Sequence, residues 1–335
     1  MRLSPTLPPE LAAAMSDVSV MATASNNVKY AAGLPYSRSM DKAGFEQAIQ
    51  AASGSDVILF FGGEEAVLTG EGHSRGNIDL PGAQVELINE LAKLNKPIVL
   101  VILSGRPNTL GSLVDKVDSM MMAWHPGTMA GPALVDVLYG EVSPSGKLPI
   151  TWPLASGQIP MYYNHKATGR PPNDDNYTRI DKINPHLTWQ HEPGNSSNYL
   201  DYGHSPQFPF GFGLSYSAFE YSDLSLNNSQ VAMGDKVKLS IQIKNTGDVE
   251  ATEIVQLYVR DLVADVTRPV KELKAFERVT LAADQKKTVD FELSTNSLYF
   301  HNRDMVQVVE PGRFKLWIAR DSADEAHETS FELVE

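Results

Sequence analysis

The sequence contains no cysteine. This absence excludes disulfides, cysteine-ligated zinc, iron–sulfur clusters and thiol nucleophiles. No stretch approaches the roughly 18 consecutive apolar residues of a membrane-spanning helix. The N-terminal residues also lack an apolar core of signal-peptide length, so the sequence predicts no membrane association and no signal peptide. The compartment stays open, because a reducing cytosol and a disulfide-free periplasm both allow a chain without cysteine.

Basic residues are also few. The chain has 28 Lys and Arg against 41 Asp and Glu, which gives a net charge of −13. Such an acidic surface argues against binding to nucleic acid and fits a neutral or cationic substrate better. The 335 residues, 42% of them apolar and 21% charged, are typical of a globular protein of about two domains.

The first half of the chain alternates strand and helix patterns. Continuous apolar runs at residues 57–61, 98–103 and 120–124 are too short for helices and are typical of strands covered on both faces of a parallel sheet. Apolar residues recur at helical spacing over residues 45–52, 85–94 and 133–138. The pattern predicts an α/β fold, a three-layer α/β sandwich with a mainly parallel sheet.

The period changes to two from about residue 231. Residues 237–243, 255–259, 289–293 and 314–318 alternate between apolar and polar side chains and are separated by turn signals. This pattern predicts an all-β sandwich of the immunoglobulin-like or fibronectin type III-like kind. The predicted organisation is a partial or replaced start of the α/β sandwich at 1–29, the α/β sandwich domain at 30–160, a long connector at 161–230 and the β-sandwich at 231–335.

One loop stands out as a place for chemistry. Ligands of open parallel sheets bind beyond the carboxyl ends of the strands, and the loop that follows residues 57–61 is long, rich in glycine and carries three glutamates, a histidine and an arginine. Glu71 lies between two glycines and is the best candidate for a general acid. Glu64 and Glu65 lie closer to the strand end and are second choices. A solvated loop whose acids only add net charge is an equally weighted interpretation.

Other catalytic patterns are absent from the sequence. The glycines at 70, 72 and 76 do not have the spacing of a dinucleotide-binding fingerprint, and there is no Walker loop. No His pair has the spacing of a zinc protease, and no Gly-x-Ser-x-Gly elbow follows a strand. The sequence therefore predicts no metal and no organic cofactor.

Several long motifs together resemble glycoside hydrolase family three, the family of β-glucosidases. The resemblance begins in the glycine-rich loop and continues in order to the end of the chain. The similar segments are residues 62–75, 78–81, 99–107, 123–127, 136–149, 208–216 and 268–273. The resemblance implies a retaining exo-hydrolase that removes a terminal glucose or related sugar from a β-glucoside or an oligosaccharide.

The resemblance also implies which residues act. Retention requires a nucleophile and an acid/base carboxyl about 5–5.5 Å apart. In the family the acid/base comes from the loop present here, which implies that Glu71 is the acid/base and that Arg75, His73 and Glu64 bind substrate. The nucleophilic aspartate belongs to a (β/α)₈ barrel, which needs about 250 residues and for which this sequence has no room.

Two interpretations follow from the missing barrel. The first is the C-terminal portion of a retaining β-glucosidase, inactive alone and completed by a barrel domain or a separate barrel chain. The second is a non-catalytic carbohydrate-binding or scaffold protein. A homo-oligomer is possible under both, and a bacterial relative of full length is expected to be periplasmic or secreted.

Overall fold

The structure, a computed structural model, describes residues 28–173, 175, 177–186, 196 and 198–335. It divides into two compact units, Met1–Thr128 and Met129–Glu335. The predicted replaced start of the α/β sandwich, residues 1–29, lies outside the described residues except for its last two. In the described part of the chain, no helix has the length and hydropathy needed to cross a membrane.

The first unit is an α/β domain. Its elements are α1 (Phe45–Ser53), β1 (Ile58–Gly63), α2 (Gln84–Ala92), β2 (Ile98–Leu103) and β3 (Ser119–Met122). The three strands form a parallel sheet in the order β1-β2-β3. The apolar runs seen in the sequence therefore form the sheet, and the predicted α/β fold class is confirmed.

The two helices cover one face of this sheet. Phe45 of α1 and Leu87 of α2 are buried in one cluster with Ile58 of β1 and Ile98 of β2. At about 25 cal/mol per Å² of apolar area, such burial is the main stabilising term of a small sheet. The side chains of β1 that point to the opposite face are exposed.

The end of β1 is held by a buried glutamine. The Gln84 side-chain oxygen accepts the N–H of Gly63 at 2.8 Å, and its amide nitrogen donates to the Gly63 carbonyl at 2.8 Å. Gly63 has φ 126°, and a Cβ there would lie 2.0 Å from the Leu103 carbonyl oxygen. Only glycine fits this position, which directs the chain out of the sheet into the long loop.

The described residues of the second unit include one α-helix and a β-sandwich. Helix α3 (Ala130–Leu138) precedes ten strands: β4 (Phe219–Leu226), β5 (Gln230–Ala232), β6 (Lys236–Asn245), β7 (Ala251–Asp261), β8 (Glu272–Leu281), β9 (Lys286–Ser294), β10 (Phe300–His301), β11 (Gln307–Val308), β12 (Gly312–Ala319) and β13 (Glu328–Val334). A five-stranded sheet, β5-β13-β12-β7-β8, and a three-stranded sheet, β4-β6-β9, contribute to one apolar core. The predicted all-β sandwich is confirmed.

The division into two compact units does not follow the predicted domain limits, which stay a prediction. Helix α3 was grouped with the α/β domain, yet it falls in the second unit, where the Tyr216 hydroxyl donates to the Val137 carbonyl at 2.7 Å. Strand β4 begins at Phe219, before the predicted start of the sandwich at 231. A bulge between Ser222 and Ser225 interrupts its alternation, and only Tyr221 of this strand is fully buried, so the pattern is not evident in the sequence.

A buried ion pair attaches the connecting segment to the β-sandwich. Lys147 Nζ lies 3.0 Å from the carboxylate of Glu253 on β7 and donates to the Gly213 carbonyl at 2.8 Å. The Tyr221 hydroxyl donates to the same carboxylate at 2.9 Å, and burial, with Glu253 nearby, raises the pKa of Tyr221. The phenol therefore stays protonated and remains a donor.

We expect Lys147→Met to lower the free energy of unfolding of the second unit by about 3–5 kcal/mol, because the buried Glu253 carboxylate loses its countercharge. Urea unfolding followed by tryptophan fluorescence measures this loss. The double variant Lys147→Met/Glu253→Gln should recover more than half of it. A loss below about 1 kcal/mol in the single variant would show that the pair is not a structural anchor.

A second prediction concerns pH. Burial raises the pKa of the Asp261 carboxyl to about 6 from its ordinary 3.8, against the opposing effects of the Val263 N–H and Arg268, and Glu310 and Glu272 raise it further. A raised carboxyl pKa stabilises the fold at low pH, and this contribution is lost as pH rises from about 4 through about 6.

Asp261→Asn should therefore raise the Tm at pH 7.5 and change it much less at pH 4.0, while retaining an acceptor for Val263. Differential scanning calorimetry at both pH values tests this, with Asp290→Asn on the exposed side of β9 as the control. Equal shifts at the two pH values, or the same shift in the control, would contradict the assignment.

Candidate active site

Three loops meet beyond the carboxyl ends of the parallel strands. They are residues 64–79 after β1, 104–109 after β2 and 123–127 after β3. The Thr69 hydroxyl lies 3.1 Å from Nε2 of His125, and a Cβ on Gly105 would lie 2.9 Å from that same nitrogen. The close approach at Gly105 lets the loops contact one another at the edge where parallel sheets bind ligands.

A buried carboxylate forms the base of this site. The Glu64 side chain has no solvent exposure and forms a salt bridge with Arg75. Asn108 donates to Glu64 Oε1 at 2.8 Å, and Arg106 Nε lies 3.0 Å from Oε2 as an ion pair that is not aligned as a hydrogen bond. A buried charge is tolerated only when it is paired in this way.

The two arginines also hold the backbone of the long loop. Arg106 donates to the Leu68 carbonyl and, at 3.1 Å, to the His73 carbonyl. Arg75 donates to the Asp79 carbonyl at 3.1 Å. The loop is therefore anchored on both sides of its tip, although most of its residues are exposed.

Glu71 occupies the tip itself. Gly70 and Gly72 flank it with φ angles of 114° and 75°, conformations that favour glycine. The turn is closed by the His73 N–H, which donates to the Gly70 carbonyl at 3.1 Å, while His73 Nδ1 lies 3.2 Å from the Thr69 carbonyl oxygen. Glu71 is exposed, and its carboxylate makes no hydrogen bond or ion pair with the described residues.

The other carboxylates of the loop all have partners. Glu64 is held by two arginines, Glu65 by Arg38, and Asp79 by the Thr109 hydroxyl. Glu71 is thus the one carboxylate of residues 64–79 that is available for proton transfer to a bound molecule. No group of three or more His, Asp or Glu residues within the described ranges is placed to hold a metal ion.

Two of the expected substrate-binding residues lie at the base of the loop, and their role toward a sugar stays a prediction. The Glu64 side chain has no solvent exposure, and its buried charge is compensated by arginines of the same unit. Arg75 is directed to Glu64 and Asp79, so it holds the loop and keeps only part of its surface exposed. His73 is exposed next to Glu71 and stays a prediction as a substrate ligand.

Sequence reasoning missed the roles of Arg106 and Asn108. Both follow β2, and the carboxyl ends of neighbouring parallel strands meet at one edge, so the signal was present in the sequence. The sequence did not show that Glu64 is their partner, because a buried glutamate can pair with any of several nearby cations.

Comparison with known proteins agrees with this architecture. Residues 8–216 match the glycosyl hydrolase family 3 C-terminal domain, and residues 253–322 match the fibronectin type III-like domain. The chain is 40% identical over 293 residues to a periplasmic beta-glucosidase of Salmonella typhimurium and 35% identical over 295 residues to a beta-xylosidase of Formosa agariphila. The crystal structure of a beta-glucosidase from Listeria innocua in complex with glucose superposes with a TM-score of 0.79 at 36% identity.

In each comparison this chain is matched over 88% of its length but spans less than half of the relative. It covers 36% of the Salmonella protein, 38% of the Formosa protein and 38% of the Listeria chain. The matched family model extends over more than half of the present chain. This chain belongs to glycosyl hydrolase family 3 and carries its C-terminal domain together with the fibronectin type III-like domain.

Proposed function

We propose that this chain supplies the acid/base of a retaining β-glucosidase, with Glu71 as that residue. The observation that carries the proposal is the arrangement of the loop: Glu71 is the carboxylate without a partner, on a tip whose base is held by the buried Glu64 cluster. The nucleophile comes from a (β/α)₈ barrel, carried by the polypeptide that the relatives have in addition to the region matched here.

In this proposal the reaction proceeds in two steps. Protonated Glu71 donates its proton to the glycosidic oxygen while the C1–O bond breaks and an aspartate of the barrel forms a covalent bond to C1. The Glu71 carboxylate next takes a proton from water, whose oxygen attacks C1 and releases the aspartate. Glu71 ends protonated again, ready for a second cycle.

The cluster at the base positions Glu71 but does not touch the sugar. Arg106 pairs with Glu64 and donates to the carbonyls of Leu68 and His73, which lie on either side of the tip. A displacement of about 1 Å at a reacting group can cost on the order of 10²-fold in rate. In this proposal Glu64 and Arg106 are therefore positioning residues.

The substrate class is a β-glycoside with a terminal glucose or a related sugar. Two of the relatives bear the names of a beta-glucosidase and a beta-xylosidase, so the proposal covers hexose and pentose. The Salmonella protein is named as periplasmic, and we extend a periplasmic or secreted location to this chain as part of the proposal.

Complementation tests the assignment of Glu71. The partner is the N-terminal part of the Salmonella relative, up to its match with this chain. We expect no release of nitrophenol from 4-nitrophenyl β-glucoside by this chain alone and clear release by the mixture. In the mixture, Glu71→Gln should lower kcat about 10²–10⁴-fold, because the leaving group loses its proton donor.

The matched control for that experiment is Glu90→Gln, a partly exposed glutamate on α2 that forms an ion pair with Lys93. The leaving group of 2,4-dinitrophenyl β-glucoside needs little protonation. With this substrate, Glu71→Gln should lower the rate of the first step much less. Full activity of Glu71→Gln on both substrates would refute Glu71 as the acid/base. Strong activity of this chain alone, lost in Glu71→Gln, would refute the need for a barrel partner.

A further prediction concerns the loop base. Arg106→Lys keeps the positive charge beside Glu64 but removes the hydrogen bonds to the carbonyls of Leu68 and His73. We expect amide hydrogen exchange of residues 68–74 to accelerate in this chain by about tenfold or more. In the complemented mixture, kcat should fall about tenfold with KM within about threefold. Arg38→Lys, at the surface pair with Glu65, is the control. Unchanged exchange in Arg106→Lys would show that Arg106 does not hold the loop.

A further inference from the structure

Thr69 is the last residue before the tip of the long loop, and both of its oxygen atoms lie next to a histidine ring. Its hydroxyl lies 3.1 Å from Nε2 of His125, which follows β3. Its backbone carbonyl oxygen lies 3.2 Å from Nδ1 of His73, on the other side of the tip. Two imidazoles from different loops of the first unit therefore contact the residue that leads into Gly70 and Glu71.

The neighbouring hydrogen bonds determine which ring nitrogens carry the protons. The Thr69 hydroxyl donates its single proton to the Ala66 carbonyl at 3.0 Å, so its oxygen accepts a hydrogen bond from Nε2 of His125. A backbone carbonyl oxygen can only accept, so Nδ1 of His73 is a donor as well. Both rings thus donate an N–H to Thr69.

The backbone at the end of β3 brings His125 to this position. Trp124 has φ 53°, a left-handed conformation that is uncommon for a bulky residue, and its carbonyl accepts the Ser104 N–H at 3.2 Å. A Cβ on Gly105 would lie 2.9 Å from Nε2 of His125 and 2.9 Å from Cγ2 of Thr69. The turn and the missing side chain together make the contact between the two loops possible. Backbone conformations of this kind cluster at functional sites.

The contact acts where packing does not hold the loop. A Cβ built on either glycine of the tip would meet no atom of the described residues within 4 Å. Arg106, which follows β2, donates to the carbonyl of His73, two residues after Glu71. His125, which follows β3, contacts Thr69, two residues before Glu71. Contacts from the two neighbouring loops therefore lie on either side of the acid.

We propose that His125 is a positioning residue, whose Nε2–H holds Thr69 and thereby determines where the Glu71 carboxyl lies when it donates its proton. The inference rests on the proposed function, because it gives His125 a part in the same proton transfer. The hydrogen bond is exposed, so its loss should change the stability of the whole chain little. The expected effect is local to the tip.

Amide hydrogen exchange of the full 335-residue chain tests the contact without any need for turnover. His125→Phe keeps a ring but removes the donor. We expect exchange of the Thr69 and His73 amides, both hydrogen-bonded within the loop, to accelerate about tenfold or more while the Tm changes little. His125→Gln offers an amide N–H at a similar reach and should restore most of the protection. His301→Phe, an exposed histidine on β10, is the matched control. Unchanged exchange in His125→Phe would overturn the proposal.

The mixture with the N-terminal part of the Salmonella relative gives a readout that a merely structural role would not move. A misplaced acid slows cleavage most when the leaving group needs a proton. We expect His125→Phe to lower kcat/KM about tenfold for 4-nitrophenyl β-glucoside and less than about threefold for 2,4-dinitrophenyl β-glucoside. Equal losses on the two substrates, or no loss on either, would count decisively against the positioning role.

A double-mutant cycle tests whether His125 acts through Thr69. Thr69→Val removes the same hydrogen bond from its other end with little change of shape. We expect each single variant to lose activity on 4-nitrophenyl β-glucoside, and the double variant to lose no more than about the larger of the two single losses. Losses that multiply in the double variant would show that the two residues act separately, which contradicts the proposal.

The outcomes separate this inference from the proposed function. Full activity of Glu71→Gln on both substrates, or a mixture without activity, counts against the hydrolase assignment. In those cases accelerated exchange in His125→Phe still supports the contact with Thr69, and unchanged exchange refutes it. A large loss in Glu71→Gln without a substrate-dependent loss in His125→Phe supports the acid/base and refutes the positioning role.

Discussion

The buried charge of Glu64 is the interaction on which the candidate site depends. Its side chain is removed from water, so its carboxylate needs the cationic partners that it finds in Arg75 and Arg106. The same arginines bind backbone carbonyls of the long loop. One electrostatic requirement therefore fixes the ends of a loop whose sequence, rich in glycine, would otherwise leave it without a defined path.

This anchoring leaves the tip of the loop without packing contacts around its two glycines in the part of the chain that the structure describes. Gly70 and Gly72 adopt positive φ angles and have open space around them, so the backbone at Glu71 is held by its ends and not by packing. In the proposed function Glu71 gives up a proton and takes one back, and at the tip it has no arginine partner among the described residues, unlike Glu64 in the ion cluster. The two glutamates at positions 64 and 71 thus have opposite environments, which fits the different roles that the proposed function gives them.

Much of this fold follows from local sequence pattern, and the rest does not for identifiable reasons. Strand β2 coincides with its predicted run, residues 98–103, because a continuous apolar segment between turns has one compact solution in a parallel sheet. Strand β4 was missed because a bulge interrupts its alternation of apolar and polar residues and only Tyr221 is fully buried. Glu71 could be selected from its flanking glycines, whereas the role of Glu64 depends on Arg106, a residue brought close only by the pairing of β1 with β2.

The conflict between the sequence of β1 and its position connects the fold to the site. Locally consistent sequences rarely place six apolar or glycine residues on an exposed edge, because such an edge invites pairing. Gly63, the last residue of β1, leads directly into Glu64 and the long loop. In the described residues β1 has one strand neighbour, β2, and its last residue opens the loop of the candidate site, so the same short segment determines both the edge of the sheet and the start of the site.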